Sequence, residues 1–332
     1  MCYNRREVVE KFQEAITMAK KGRMVFGPVP SRRLGFSLGV DLVPFKTCPL
    51  DCVYCQLGRT TDRTLRRRTY VSPGEIIRQI RAALKRGGRI DWITLSGSGE
   101  PTLHSEIGKI IRTIKIMTDI PVAVLTSGAL LHNASVRNAL RAADLVIPDL
   151  DAGSAGVFRT VNRPHRSLTF KKVVSGIKDF VSHFPGRVWL EVVLVKDVND
   201  SPAELRRISA LAAKIRPARV QLNTVVRPPG EVWVRPLSPR EMQRARAFMA
   251  KCLRGIPIDV IAQSAGVGVR SLAEDIEERI LSWLQRRPAT ARDLARGTGA
   301  RMSDITRRIT HLVETGRVRK TTFREAIYYI AL

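Results

Sequence analysis

Cys48, Cys52 and Cys55 lie in one short run, Thr47-Cys48-Pro49-Leu50-Asp51-Cys52-Val53-Tyr54-Cys55. Thiols separated by three and then two residues suit a metal cluster rather than a disulfide. Structural zinc closes a tetrahedron with four protein ligands, and an ordinary cubane cluster takes four thiolates. Three clustered thiolates therefore leave one coordination position open, where a substrate or cofactor can bind. The alternative for the same triplet is zinc, with His104 or Cys252 as a distant fourth ligand.

Such a centre needs a scaffold. The chain has 332 residues, 44% of them hydrophobic, enough to bury a sizeable core and to divide into two domains. Cys2 and Cys252 are the only cysteines outside the triplet, a density that does not read as a secreted disulfide framework. They are expected to be unliganded thiols. Residues 1–24 mix charge into an amphipathic pattern, which predicts an N-terminal helix rather than a signal peptide. No stretch is long and apolar enough to span a bilayer. The expectation is a soluble, cytoplasmic protein with no membrane partner.

Seven β-rich runs, at 36–42, 92–96, 122–126, 145–150, 188–195, 220–225 and 258–261, alternate with amphipathic segments near 74–86, 105–117, 133–142, 169–184, 202–214 and 239–253. Three of these helices open alike, with Ser72-Pro73-Gly74-Glu75, Ser201-Pro202-Ala203-Glu204 and Ser238-Pro239-Arg240-Glu241. Each offers a serine cap, a proline at the first helical position and a glutamate able to return to the cap. Strand-helix alternation predicts an α/β fold, a parallel sheet closed wholly or partly as a barrel over residues 25–263. Such barrels work at the carboxyl ends of their strands, and the cysteine run follows the first strand.

These residues resemble the radical S-adenosylmethionine superfamily, whose hallmark is Cys-x3-Cys-x2-Cys after the first barrel strand. Tyr54 stands at the aromatic position before the last cysteine. Ser96-Gly97-Ser98-Gly99-Glu100-Pro101-Thr102 follows the second strand as that family's Gly-Gly-Glu motif does, with Ser98 in place of its first glycine. Leu125-Thr126-Ser127-Gly128 ends the third strand and Asp149-Leu150-Asp151 the fourth. The runs 191–200 (EVVLVKDVND) and 221–231 (QLNTVVRPPGE) resemble the tRNA wyosine-forming synthases. Those synthases carry a second cluster on their own N-terminal cysteines, and here only Cys2 precedes the triplet.

The resemblance implies a partial (β/α)6 TIM-like barrel. It also implies that Cys48, Cys52 and Cys55 hold three irons of a 4Fe-4S cluster, the fourth being chelated by S-adenosylmethionine. Gly97, Ser98, Gly99 and Glu100 would meet the methionyl ammonium, Thr126, Ser127 and one of Asp149 or Asp151 the ribose or methionine, and Tyr54 the adenine. Reductive cleavage of the sulfonium would release a 5′-deoxyadenosyl radical that removes a hydrogen atom from substrate. An electron donor such as ferredoxin or flavodoxin is the implied partner.

Beyond a linker at 264–272 the pattern becomes helical over 273–332. Helices are expected at 273–287, 291–296 and 302–314, followed by short strands at 317–320 and 326–330. Leu281, Leu284, Leu294, Ile305, Ile309 and Leu312 recur at helical spacing and predict its core. This resembles a winged helix-turn-helix domain, a module that docks DNA or protein. The formal charge of +27, from 57 Lys and Arg against 30 Asp and Glu, favours polyanionic partners. Residues 271–332 contribute only +4 of it. The reading is an enzyme acting on RNA such as tRNA, on a protein, or on a small metabolite. A redox-sensing iron-sulfur regulator that binds DNA and a glycyl-radical activase are the alternatives.

Overall fold

The computed structural model describes residues 22–261 and 276–332. The expected N-terminal helix lies outside the described residues except for 22–24, which are not helical, and the expected linker lies outside them entirely. Strand β1 (Val25–Ser31) turns into β2 (Gly35–Val40), after which come the two-residue strands β3 (Thr47–Cys48) and β4 (Asp62–Arg63). Then α1 (Pro73–Lys85), β5 (Trp92–Leu95), α2 (Ile107–Met117), β6 (Val122–Thr126), α3 (Ala134–Leu140) and β7 (Leu145–Pro148) alternate. They are followed by α4 (Ala155–Val161), α5 (Phe170–His183), β8 (Arg187–Leu194), α6 (Pro202–Ile215), β9 (Arg219–Thr224), α7 (Pro239–Cys252) and β10 (Ile258–Val260).

The main sheet has the order β1-β2-β5-β6-β7-β8-β9-β10, with β1 antiparallel to β2 and every later pairing parallel. Parallel strands covered on both faces read as continuous apolar runs, and β6 (VAVLT) and β7 (LVIP) are of this kind. Each crossover carries a helix whose apolar stripe packs on the sheet; Ile76 and Ile80 of α1 and Ile107, Ile110, Ile111 and Ile114 of α2 are buried. Among the described residues, no hydrogen-bonded strand pair closes the sheet. Side chains bridge its two sides instead: Arg33, after β1, pairs with Glu191 of β8, and Arg32 Nη1 donates to Asn223 Oδ1 of β9 at 3.0 Å. The result is an α/β fold with a mostly parallel sheet, as expected of a partial barrel.

Three local features depart from the sequence pattern. Strand β1 (VFGPVPS) holds a glycine and two prolines, which read as loop, yet it pairs with β2 across a register shift between Phe26 and Val29. Proline is tolerated there because β1 is an edge. Helix α4 lies outside every helical segment expected from the sequence. The three matching helix starts also diverge. Ser238 and Glu241 form the full reciprocal cap, and Ser201 caps Glu204 N while the Glu204 carboxylate accepts from Gly153 N. Ser72 makes no side-chain cap, and the Glu75 carboxylate bonds to Arg78 and Gln79.

The described C-terminal residues form α8 (Ile276–Leu284), α9 (Ala291–Thr298), α10 (Met302–Glu314) and a hairpin of β11 (Val318–Phe323) and β12 (Ala326–Ala331). Ile280, Leu284, Leu294, Ile305, Ile309 and Leu312 make a core of their own; Leu281 only flanks it. This unit docks on the barrel. Val29 of β1 packs against its core, Tyr328 Oη donates to Val226 O at 3.0 Å, and Arg227 Nε donates to Pro288 O at 3.1 Å.

Candidate active site

The parallel strands end side by side, and the loops that follow them carry the candidate residues. The loop after β5 is fastened to the cysteine loop by backbone bonds: Lys46 N donates to Ser98 O at 2.6 Å and Glu100 N to Thr47 O at 3.0 Å. Both glycines of this turn are required by contact. A Cβ on Gly99 would stand 2.2 Å from Thr47 O, and Gly97 adopts φ +128° with Asp41 Oδ1 1.9 Å from where its Cβ would be. Asp41, buried just after β2, accepts from Ser98 N at 2.6 Å. The Gly-Ser-Gly-Glu turn is thus shaped by its fit to the cysteine loop.

The three thiols are half-buried. Burial pushes Cys48 up to about 12, with the Glu100 carboxylate adding to the effect, and burial likewise raises Cys52, beside Asp151. Lys46 Nζ lies 3.3 Å from Cys55 Sγ and Asn162 Nδ2 lies 3.4 Å from Cys52 Sγ. Although burial acts against the Lys46 ammonium, the neighbouring cysteine sulfurs raise its pKa. Sulfurs with poor access to water but with N–H donors beside them fit metal ligands, where a cation replaces the protons and second donors tune the sulfur charge. The distant zinc ligands do not fit. His104 is tied through Nε2 to Val71 O at 2.8 Å and accepts Glu106 N on Nδ1, and Cys252 is exposed at the end of α7.

Glu100 is buried and saturated. Oε1 accepts from Thr102 N, Thr102 Oγ1 and Thr126 Oγ1, and Oε2 accepts from Ser127 N and Ser127 Oγ, all within 3.0 Å. It clamps the ends of β5 and β6 together. Asp151 acts in the same way between β7 and β8, accepting from Tyr54 Oη at 2.5 Å, Asn162 Nδ2 at 2.7 Å and Val193 N at 2.8 Å. Burial raises Asp151 to about 6 against these hydrogen bonds. Asp149 has fewer partners of that kind. Burial, then Asp151 and Glu191, hold its pKa well above the usual carboxylate range.

A cavity of about 390 Å³ opens at this end of the sheet. It brings together Tyr54, Cys55, Gly97, Thr126, Ser127 and Asp149, while Ser98, Gly99, Glu100 and Asp151 stand behind its wall as supports. Sequence reasoning missed Asp41, Lys46 and Asn162, which act on the loop and thiols from outside the motifs. It also missed five arginines that line the cavity, Arg32, Arg33, Arg227, Arg286 and Arg287. The adjacent Arg32-Arg33 and Arg286-Arg287 pairs were the available signal, lost among 57 basic residues.

Comparisons place this geometry. A model of the Radical SAM superfamily matches residues 42–207. The chain is 40% identical to a Brachyspira hyodysenteriae protein named GTPase Obg, over 93% of this chain and 45% of that one, so it spans under half of that relative. It is 31% identical to a UPF0026 protein of Methanocaldococcus jannaschii, over 78% of this chain and 81% of that one. A probable dual-specificity RNA methyltransferase RlmN of Streptococcus mutans is 25% identical over 55% of this chain and 53% of its own. Among solved structures, a radical SAM methyltransferase from Sphaerobacter thermophilus shares the fold with a TM-score of 0.52 at 20% identity, covering 68% of this chain and 65% of that one. Streptococcus suis SuiB bound to S-adenosylmethionine does so at 0.52 and 14% identity, covering 78% and 56%. The cofactors of the superfamily are a 4Fe-4S cluster and S-adenosylmethionine. With its cysteine loop, its parallel sheet and these matches, the chain is an enzyme of the radical S-adenosylmethionine superfamily and belongs, within it, with the UPF0026 proteins.

Proposed function

We propose that Cys48, Cys52 and Cys55 hold three irons of the cluster, that S-adenosylmethionine lies in the adjoining cavity, and that the enzyme acts on RNA. One observation carries the site assignment: the cysteine loop and the Gly-Ser-Gly-Glu turn are joined through backbone bonds beside one cavity at the carboxyl ends of the strands. When bound, the cofactors supply one-electron cleavage of a sulfonium and a carbon radical that abstracts hydrogen. The chain's own residues orient and insulate. Thr126, Ser127 and Asp149 face the bound cofactor, Tyr54 lies beside the adenine, and Glu100 and Asp151 hold these groups in place from behind. Lys46 and Asn162 support the thiolates.

The excess of positive charge supports an RNA substrate, as do the wyosine-synthase-like runs and the relative named as an RNA methyltransferase. Residues 273–332, described from 276 onward, are read as a winged helix, and the barrel as residues 25–263. Because Arg286 and Arg287 line the cavity and Tyr328 fastens the hairpin to the barrel, this unit serves as a wall of the substrate mouth. That placement speaks against a detached DNA reader of the regulator type.

The test is anaerobic. The protein, loaded with iron and sulfide and reduced with dithionite, should form 5′-deoxyadenosine from S-adenosylmethionine, and Cys52→Ala should not. Glu100→Ala should also lose cleavage, whereas a sensor would keep cluster-dependent DNA binding in that variant. Transfer of label between S-adenosylmethionine and RNA, absent with protein fractions, would support the substrate class.

A further inference from the structure

Five guanidiniums reach the cavity, and they fall into two groups. Arg33 is paired with Glu191 and Arg286 with Asp41, so both are neutralised within the wall. Arg32, Arg227 and Arg287 are half-buried, and among the described residues none has a carboxylate within ion-pair distance. Their hydrogen-bond and ring partners are neutral. Arg32 donates to the Asn223 amide oxygen, Arg227 to Pro288 O and, at 3.5 Å, to Gln56 Oε1, and Arg287 lies over the Trp283 ring at 4.8 Å. Asp293, the carboxylate whose charge acts on all three, is occupied as the capping residue of α9, bonded to Thr290 N and Oγ1.

Charge left in this way is costly. Burial lowers the Arg32 guanidinium to about 10, with Arg227 and Arg33 adding repulsion, and burial followed by Arg227 drives Arg287 well below its ordinary value. Three like charges brought together with restricted access to water, and with only the already bonded Asp293 acting on all of them, favour an anion that offsets them. The three come from separate places, the β1–β2 turn, the loop after β9 and the loop after α8, so only the folded chain assembles them.

We propose that Arg32, Arg227 and Arg287 form a phosphate-binding subsite that anchors a phosphate group of the substrate at the mouth of the active-site cavity. A phosphate offers oxygens to several guanidinium forks at once and carries enough charge for more than one, where a lone carboxylate offers two oxygens and a single charge. Gln56, bonded to Arg227, directly follows Cys55, so the phosphate sits beside the loop that carries the reaction centre. This rests on the reading of that cavity as the active site.

The test measures anion binding, which needs no turnover. Inorganic phosphate, adenosine 5′-monophosphate and a short single-stranded RNA are titrated calorimetrically into the anaerobic, cluster-loaded full chain at constant ionic strength set with chloride. Saturable binding of phosphate is expected, weakened about tenfold or more in each of Arg32→Gln, Arg227→Gln and Arg287→Gln, the loss of a charge-assisted hydrogen bond. A matched triple exchange of the exposed Arg81, Arg112 and Arg240 to Gln should leave it unchanged. The monophosphate and the RNA should compete with phosphate for the same site, the tighter of the two identifying the source of the phosphate. Melting temperatures give a second readout: without phosphate each cavity variant should melt at or above wild type, because a repelling charge is gone, and phosphate should raise the wild-type value alone. Unsaturable binding, or binding equally weakened by the surface triple, would overturn the proposal. So would an equal loss of S-adenosylmethionine affinity in the cavity variants, since the arginines would then hold the cofactor carboxylate. Failure of 5′-deoxyadenosine formation with intact phosphate binding would instead count against the radical chemistry and leave the subsite standing.

Discussion

Arg286 Nε lies 3.1 Å from Asp41 Oδ2, with both side chains almost entirely out of water although they stand 245 positions apart in the chain. The other Asp41 oxygen accepts Ser98 N, so one carboxylate joins the C-terminal unit to the Gly-Ser-Gly-Glu turn. Arg286 also donates to Arg23 O and lies 4.5 Å over the Phe26 ring. Removing one member leaves a buried charge without a partner, at a cost of about 3–5 kcal/mol. Arg286→Met should therefore destabilise the protein strongly and weaken S-adenosylmethionine binding. Arg286→Met with Asp41→Asn should recover most of the stability, since the asparagine oxygen still accepts Ser98 N. Urea denaturation of the two variants checks this, and equal losses in both would count against the coupling.

Gly99→Ala puts a methyl group against the carbonyl of Thr47, next to Cys48. Backbone cannot move aside as a flexible side chain can, so the cysteine loop must shift. The expected cost is about 1–3 kcal/mol, with reduced iron content after reconstitution. Full iron loading at wild-type stability would show that the contact is dispensable.

Lys46 is buried, with its ammonium on Cys55 Sγ. A positive charge beside the sulfurs favours the more negative, reduced state of a cluster. Lys46→Met should lower the midpoint potential of the reconstituted protein in a spectroelectrochemical titration while the three thiols stay in place. An unchanged or raised potential would remove Lys46 from this role.

Glu241 lies at the start of α7, where the hydrogen bond from Lys196 and then those within the Ser238 cap hold its carboxyl down to about 2. A depressed carboxyl contributes stability that is complete above its unfolded value, near 4.5, and is lost as pH falls toward about 2. Glu241→Gln should thus be less stable than wild type at neutral pH, and the two should converge across that acid window. Urea midpoints between neutrality and low pH test it; a constant difference would mean that the ionised carboxylate is not the source.

Much of the barrel could be read from the chain because strands such as β6, β7 and β8 are local apolar runs and the longer crossover helices are local amphipathic stripes. Helix α10 shows this closely, with its expected bounds matching those observed. Strand β1 was hidden by its glycine and prolines, whose edge position only pairing with β2 creates. Ser72, Ser201 and Ser238 look alike in sequence and part in the structure because the glutamates find different partners: Gln79 of the same helix for Glu75, the distant Gly153 N for Glu204 and the cap itself for Glu241.

The same division runs through the site. The sequence alone determined which atoms can bind a cluster, since the spacing of Cys48, Cys52 and Cys55 is a property of one short loop, and it located the turn at Gly97–Glu100. It did not distinguish groups that face the cavity from groups that brace it: Asp149 and Asp151 are two residues apart, yet one lines the cavity and the other is consumed by Tyr54, Asn162 and Val193. Nor did it indicate that Arg32, Arg227 and Arg287 share a mouth. Ligand spacing is encoded within a few bonds, whereas burial, pairing and the charge left over are set by which distant segments the closing barrel and its docked C-terminal unit bring together, and those were decided only by the tertiary structure.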